Sequence, residues 1–151
     1  MRQATIVRRA KIDDAPNLGK LFDAYRQFYR QAPDPGTAVR FMSERLERGD
    51  SVLLLASRGG AIAGFCQLYP TFCSVAAATI YVLYDLYVDP SARRHGVARS
   101  LMLAARDEAV RAGVARMDLQ TAKTNARARA LYESLGWERD DVFDTYHLAI
   151  P

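Results

Sequence analysis

The sequence predicts a mixed α/β sheet with helices on both faces, an α+β arrangement of element order βααβββαβαβ. Three observations carry this. Leu18, Leu21, Phe22, Tyr25, Phe28, Tyr29 and Ala32 recur at helical spacing. Short apolar runs are then cut by tight-turn signals, Arg58-Gly59-Gly60 and Asp89-Pro90. Last, residues 80–121 read as strand, loop, helix, strand, a βαβ unit whose two strands should be parallel.

Taken in order, Thr5–Arg9 reads as a first strand. Asp13, Asp14 and Pro16 signal the start of the first helix, and Pro33-Asp34-Pro35-Gly36 breaks it. A second helix is expected over 38–47, ending at Gly49. Strands follow over 51–57 and 62–69, with Pro70 expected to bend or end the second. Residues 80–88 are almost continuously apolar, which suggests a strand covered on both faces. Helix 96–112 carries Val97, Leu101, Ala105, Ala109 and Ala112 as one stripe and stops at Gly113. A strand over 115–121, a helix over 125–135 stopped by Gly136, and a closing strand over 142–150 complete the series.

The 151 residues fit a single domain, 1–151, with half of them hydrophobic and a quarter charged. Net charge is +4. That suits an anionic ligand, but the scattered basic residues form no stripe of the kind nucleic acid requires. Cys66 and Cys73 show no metal-ligand spacing and read as small buried hydrophobes in a reducing compartment. No apolar signal core opens the chain. The longest apolar run, near Val75 to Tyr84, is too short to span a membrane. A soluble cytoplasmic protein without metal is expected.

Two segments carry chemistry. Arg93-Arg94-His95-Gly96-Val97-Ala98 lies between a strand and a helix start, where backbone N–H groups are unpaired and partial positive charge collects. Gly96 lets an anion approach the backbone, so the segment suits a pyrophosphate, although an ordinary helix start would look the same. The second segment, residues 125–137, is Asn-Ala-Arg-Ala-Arg-Ala-Leu-Tyr-Glu-Ser-Leu-Gly-Trp.

Together the two segments resemble the GNAT acetyltransferase superfamily, which pairs [QR]-x-x-G-x-[GA] with N-x-x-[AS]-x-x-[LF]-Y-x-x-x-G-[FWY] one βα unit later. Arg93, Gly96 and Ala98 match the first pattern. Asn125, Leu131, Tyr132, Gly136 and Trp137 match the second. The resemblance implies acetyl-CoA as cosubstrate, held by Leu86, Tyr87, Val88, Arg93, Arg94, His95, Gly96, Val97, Ala98, Arg99 and Asn125. It also implies Tyr132 as general acid for the leaving thiolate and a backbone N–H near Tyr87 or Val88 as oxyanion donor. A tyrosine, at a reference pKa of about 10, lies close enough to a thiol at about 8.5 to donate usefully. Tyr132 also sits at helical spacing from Ala128 and Leu135, as a core aromatic would. One departure is Arg94, where the family usually has glycine: either the loop needs no left-handed residue there, or its shape differs.

Asp85 interrupts the apolar strand, where an unpaired carboxylate is expensive to bury. It is either a structural residue bonded to a loop or a group facing the acceptor. The segment 84–88 is similar to that of polyamine-type and Hpa-type acetyltransferases, in which an acidic residue here faces the acceptor amine. Those relatives often carry Glu one position earlier, where this chain has Tyr84. An ammonium of pKa near 10 is only about 0.1% neutral at pH 7, so some group must take its proton. Asp85 is the first candidate, ahead of His95 and His147. Tyr25, Phe28, Tyr29, Tyr69 and Phe72 are expected mostly in the core, with some lining the acceptor site. The expected acceptor is a small-molecule amine; a protein lysine or N-terminus, and a non-catalytic coenzyme A-binding module, remain the rivals. A homodimer is left open.

Overall fold

β1 (Thr5–Arg9) opens a computed structural model that describes residues 3–151. Next come α1 (Ala15–Phe28), α2 (Pro35–Arg48), β2 (Val52–Arg58), β3 (Ala61–Cys73), β4 (Ala78–Val88), α3 (Val97–Ala112), β5 (Met117–Leu119) and α4 (Ala126–Ser134). The chain divides into two units, one through Gln120 and one over 121–151. The first holds the sheet, with strands in the order β1-β2-β3-β4-β5. Its first four are an antiparallel meander, and β5 is parallel to β4, the predicted βαβ pairing.

Period-2 alternation assigns the two faces. Leu53 and Leu55 on β2, Phe65 on β3 and Tyr87 on β4 join Leu18, Leu21, Phe22, Ala38 and Met42 of α1 and α2 in one core. On the opposite face, α3 buries Val97, Leu101, Ala105 and Ala109 of the expected stripe and Met102 beside it, while Ala112 is exposed. Gly64 marks the contact: a Cβ there would meet Leu101 Cδ1 at 3.3 Å and the Tyr87 carbonyl at 2.7 Å. Gly19 plays the same part between helices, since its Cβ would lie 2.8 Å from Val39 Cα, so only glycine lets α1 and α2 pack this closely. Glu108 of α3 accepts from Arg9 of β1 at 2.7 Å and from Arg111 at 2.8 Å.

Four expectations change. α2 begins at Pro35 rather than residue 38, because Asp34 caps it by accepting from the Thr37 N–H and proline is tolerated in the first turn. β3 runs through Pro70 to Cys73. β2 pairs no further than Leu68, so from Tyr69 onward β3 has a neighbour on one side only, the setting in which a strand accepts proline. Cys66 is buried, but Cys73 lies partly exposed, within reach of the Arg116 guanidinium. No closing strand forms over 142–150. The Asp140 carboxylate instead accepts from the N–H groups of Val142 and Phe143, a local bond that competes with a ladder, and the apolar side chains that follow are exposed.

Candidate active site

β4 is bulged. Gln67 of β3 opposes Asp85 while its neighbour Leu68 opposes Leu83, so Tyr84 is the extra residue. Its side chain points out, 65% exposed, and its carbonyl accepts from the Tyr25 hydroxyl at 3.3 Å. The register with β5 stops at Leu83, so among the described residues no strand pairs with the other side of 84–88. Which N–H groups face that open edge follows from the ladder. Asp89 N–H donates to Ala63 O, and the Tyr87 carbonyl points at Gly64, so odd-numbered residues here face β3. Leu86 and Val88 face the other way. Of the two expected oxyanion donors, the alternation favours Val88 over Tyr87.

Beyond Val88, the Asp89 carboxylate accepts from the N–H and hydroxyl of Ser91 and closes a 3-10 turn, Pro90–Ala92. Arg93 turns back on the strand: its Nε donates to Val88 O at 3.1 Å, and its guanidinium lies 5.7 Å from the Tyr87 ring centroid. Arg94 is left-handed, with φ of 65°, as is Gly96 at 74°. The loop therefore does use a left-handed residue at the position where the family usually has glycine, and here an exposed arginine adopts it. α3 then starts with no side chain capping it, and a Cβ on Gly96 would meet nothing within 4 Å. The helix start is open and backbone-donating, flanked by exposed Arg94, His95 and Arg99, with Ala98 half-buried and Val97 anchored in the core. That donor set fits a pyrophosphate.

Asp85 is 4% exposed. Among the described residues no ion pair reaches it. It accepts from Gln67 Nε2 at 2.7 Å. Burial pushes its carboxyl above the ordinary range, while the hydrogen bond from Gln67 holds it back. Burial together with this carboxylate keeps the Tyr25 and Tyr69 hydroxyls and the Cys66 thiol protonated far above their usual ranges. The partner of the Asp85 carboxylate lies on the neighbouring strand β3 rather than on a loop. Tyr25 and Tyr69 flank it half-buried, whereas Phe28, Tyr29 and Phe72 are exposed rather than core. Gln67 was missed by sequence reasoning. Its signal was a polar residue on the Phe65 face of an otherwise apolar strand.

In the second unit, Asn125 caps α4 by accepting from the Ala128 N–H at 3.2 Å. Tyr132 stands three residues before the helix's C-cap, Leu135. Gly136 follows with φ of 88°. Gly136 N–H donates to Glu133 O, and Trp137 N–H donates to Tyr132 O. This is a Schellman cap. It explains the spacing Tyr-x-x-x-Gly-Trp: glycine supplies the left-handed turn, and Trp137 packs on Tyr132 with ring centroids 6.4 Å apart. Tyr132 is half-buried, pinned by the end of its own helix. His95 and His147 are both exposed. No group of three or more His, Cys, Asp or Glu among the described residues is placed to hold a metal ion, and no helix is long and apolar enough to cross a membrane.

The chain is similar to "Uncharacterized N-acetyltransferase YhfO" of Bacillus subtilis (strain 168), at 46% identity over 96% of this chain and 97% of that one. A solved structure of a probable acetyltransferase superposes with a TM-score of 0.90 at 35% identity, covering 97% of this chain and 98% of that chain. The [ribosomal protein bS18]-alanine N-acetyltransferase of Escherichia coli (strain K12) is 38% identical over 65 residues, 43% of this chain and 44% of that one. The model of the acetyltransferase (GNAT) family matches residues 18–137, from α1 through both motifs to Trp137. With the meander, the parallel crossover and the open helix start in place, that match settles the classification: this chain belongs to the acetyltransferase (GNAT) family.

Proposed function

We propose that this acetyltransferase moves the acetyl group of acetyl-CoA to a primary amine of a small molecule, with Asp85 as the base and Tyr132 as the acid. The observation that carries the reading is Asp85, a buried carboxylate beside the open edge of β4 with no cation paired to it among the described residues. A desolvated carboxylate favours a positive charge and, with its affinity for protons raised, can take one from an ammonium. Acetyl-CoA supplies the thioester. The N–H groups at the start of α3, with Gly96, Val97, Ala98 and Arg99, would hold its pyrophosphate, and Arg94 and His95 would add positive field. Val88 N–H, directed away from β3, is the donor for the carbonyl oxygen. Tyr132 protonates the departing sulfur. The family match crosses the junction at Gln120, which supports reading the two units as one acetyltransferase domain. A cytoplasmic setting suits both cysteines, which are free thiols.

The E. coli relative is named for an alanine of ribosomal protein bS18, which makes a protein amine the second reading. Thiol release from acetyl-CoA across alkylamines, polyamines, aminoglycosides, amino acids and peptides separates the two, and turnover confined to peptides would refute the first. With the best amine, Tyr132→Phe should lower kcat on the order of 10²-fold while acetyl-CoA affinity holds. An unchanged kcat under chemistry-limited conditions would remove Tyr132 from catalysis.

A further inference from the structure

The Gln67 side chain is completely buried and every polar position on it is engaged. Ser51 Oγ donates to its Oε1 at 2.7 Å. Its Nε2 donates to Asp85 Oδ2 at 2.7 Å and to the Tyr69 hydroxyl at 2.9 Å. The three partners come from the residue just before β2, from β3 itself and from β4. The acceptor-only Asp85 carboxylate fixes which way the amide faces, since a flip would turn Oε1 toward it, and the Ser51 hydroxyl then anchors Oε1 by donating to it. Gln67 and Asp85 are also direct cross-strand partners at the bulge, so the register places the two side chains next to each other.

We propose that Gln67 is a positioning residue for Asp85: locked by Ser51, its amide fixes the rotation of the carboxylate and keeps it ionised, ready to take the acceptor's proton. The inference rests on the reading of Asp85 as base. Burial drives the carboxyl toward its neutral form, in which it cannot accept a proton, and a short donor bond inside the same dry site opposes that drift. The other ionisable groups facing Asp85 are Tyr25 on α1 and Cys66 and Tyr69 on β3. All three stay neutral across the working pH range. Arg45 and Asp50 bear on Tyr69 and have opposite charge. Gln67 is therefore the donor bonded directly to the Asp85 carboxylate, at 2.7 Å, while the single proton of the Tyr25 hydroxyl is directed to Tyr84 O.

The test is the pH profile of kcat/KM for the best amine at saturating acetyl-CoA, in wild type, Gln67→Met, Ser51→Ala and Asp85→Asn. Methionine keeps the volume of Gln67 and removes the donor. Its acid limb should move up by about one pH unit, with about a tenfold loss of kcat/KM on that limb and recovery toward wild type at higher pH. Ser51→Ala does not touch Asp85, so a smaller shift in the same direction can arise only by loosening the amide. This second variant decides the matter if Gln67→Met does not fold. A purely structural Gln67 would lower Tm and scale the profile down without moving its midpoint, and that result overturns the proposal. If Asp85→Asn keeps wild-type turnover, the base assignment fails and Gln67's role fails with it. If Asp85→Asn is inactive but the acid limb stays put in the other two variants, only Gln67's role fails.

Discussion

Arg94 stores strain that a single substitution should release. Its φ of 65° lies in the left-handed region, which costs an L-residue about 1–2 kcal/mol, while glycine adopts it freely. Arg94→Gly relieves that cost but gives the unfolded chain more freedom, a penalty of about 0.4–1 kcal/mol. The net gain is about 0.5–1 kcal/mol, a rise in Tm of about 1–4 °C for a chain of this length. The side chain is exposed, so its removal forfeits little packing. Arg94→Ala is the control, because alanine loses the charge and keeps the strain. Calorimetry and urea midpoints should rank glycine above alanine, with alanine close to wild type. If glycine is no more stable than alanine, position 94 is not strained and the description of the loop is wrong. Acetyl-CoA affinity in the same pair separates charge from shape: an equal loss in both variants traces to the guanidinium.

Gly19→Ala should lower stability by about 2–3 kcal/mol, seen as a fall in Tm of about 5–10 °C, because its Cβ would meet Val39 Cα at 2.8 Å, a backbone atom that moves only with α2. Arg8→Ala should flatten the acid dependence of stability. The Arg8 guanidinium, hydrogen-bonded at 2.8 Å, holds the Asp14 carboxyl down at about 2. A depressed carboxyl stabilises the fold above its unfolded value near 3.8 and loses that contribution as pH falls toward 2. Arg8 is half exposed, so the loss at neutral pH should be about 1 kcal/mol, read from urea midpoints between pH 7 and 2.

Much of the sheet was legible because its strands obey local rules. Thr5–Arg9 was placed to the residue, and the parallel partnership of β4 and β5 followed from the crossover between them. What escaped depended on partners. Whether β3 could pass Pro70 turned on where β2 stops, which no local pattern records. The closing strand failed for the opposite reason: residues 142–150 have strand-like composition, but Asp140 takes the first two N–H groups. At the site, Asp85 announced itself as a charge in an apolar run. Gln67 did not, because its importance comes from the residue opposite it across a bulge. Arg94 showed the limit of propensity: its left-handed cost was foreseen, but not that the loop would impose it anyway. The Tyr-x-x-x-Gly-Trp spacing was found as a family pattern, and its physical cause, a Schellman cap holding Tyr132, came only from the helix end itself.

Acetyl transfer with Asp85 as the proton acceptor stands or falls on Asp85→Asn. Asparagine keeps the size of the side chain and can still accept from Gln67, so the fold should survive with an unchanged Tm. The measurement is thiol release at neutral pH, with acetyl-CoA saturating and the best amine of the panel, alongside acetyl-CoA binding by calorimetry. Turnover should fall on the order of 10²-fold or more with acetyl-CoA affinity intact. Wild-type turnover in Asp85→Asn, or a loss confined to acetyl-CoA binding, would contradict the assignment of Asp85 as base.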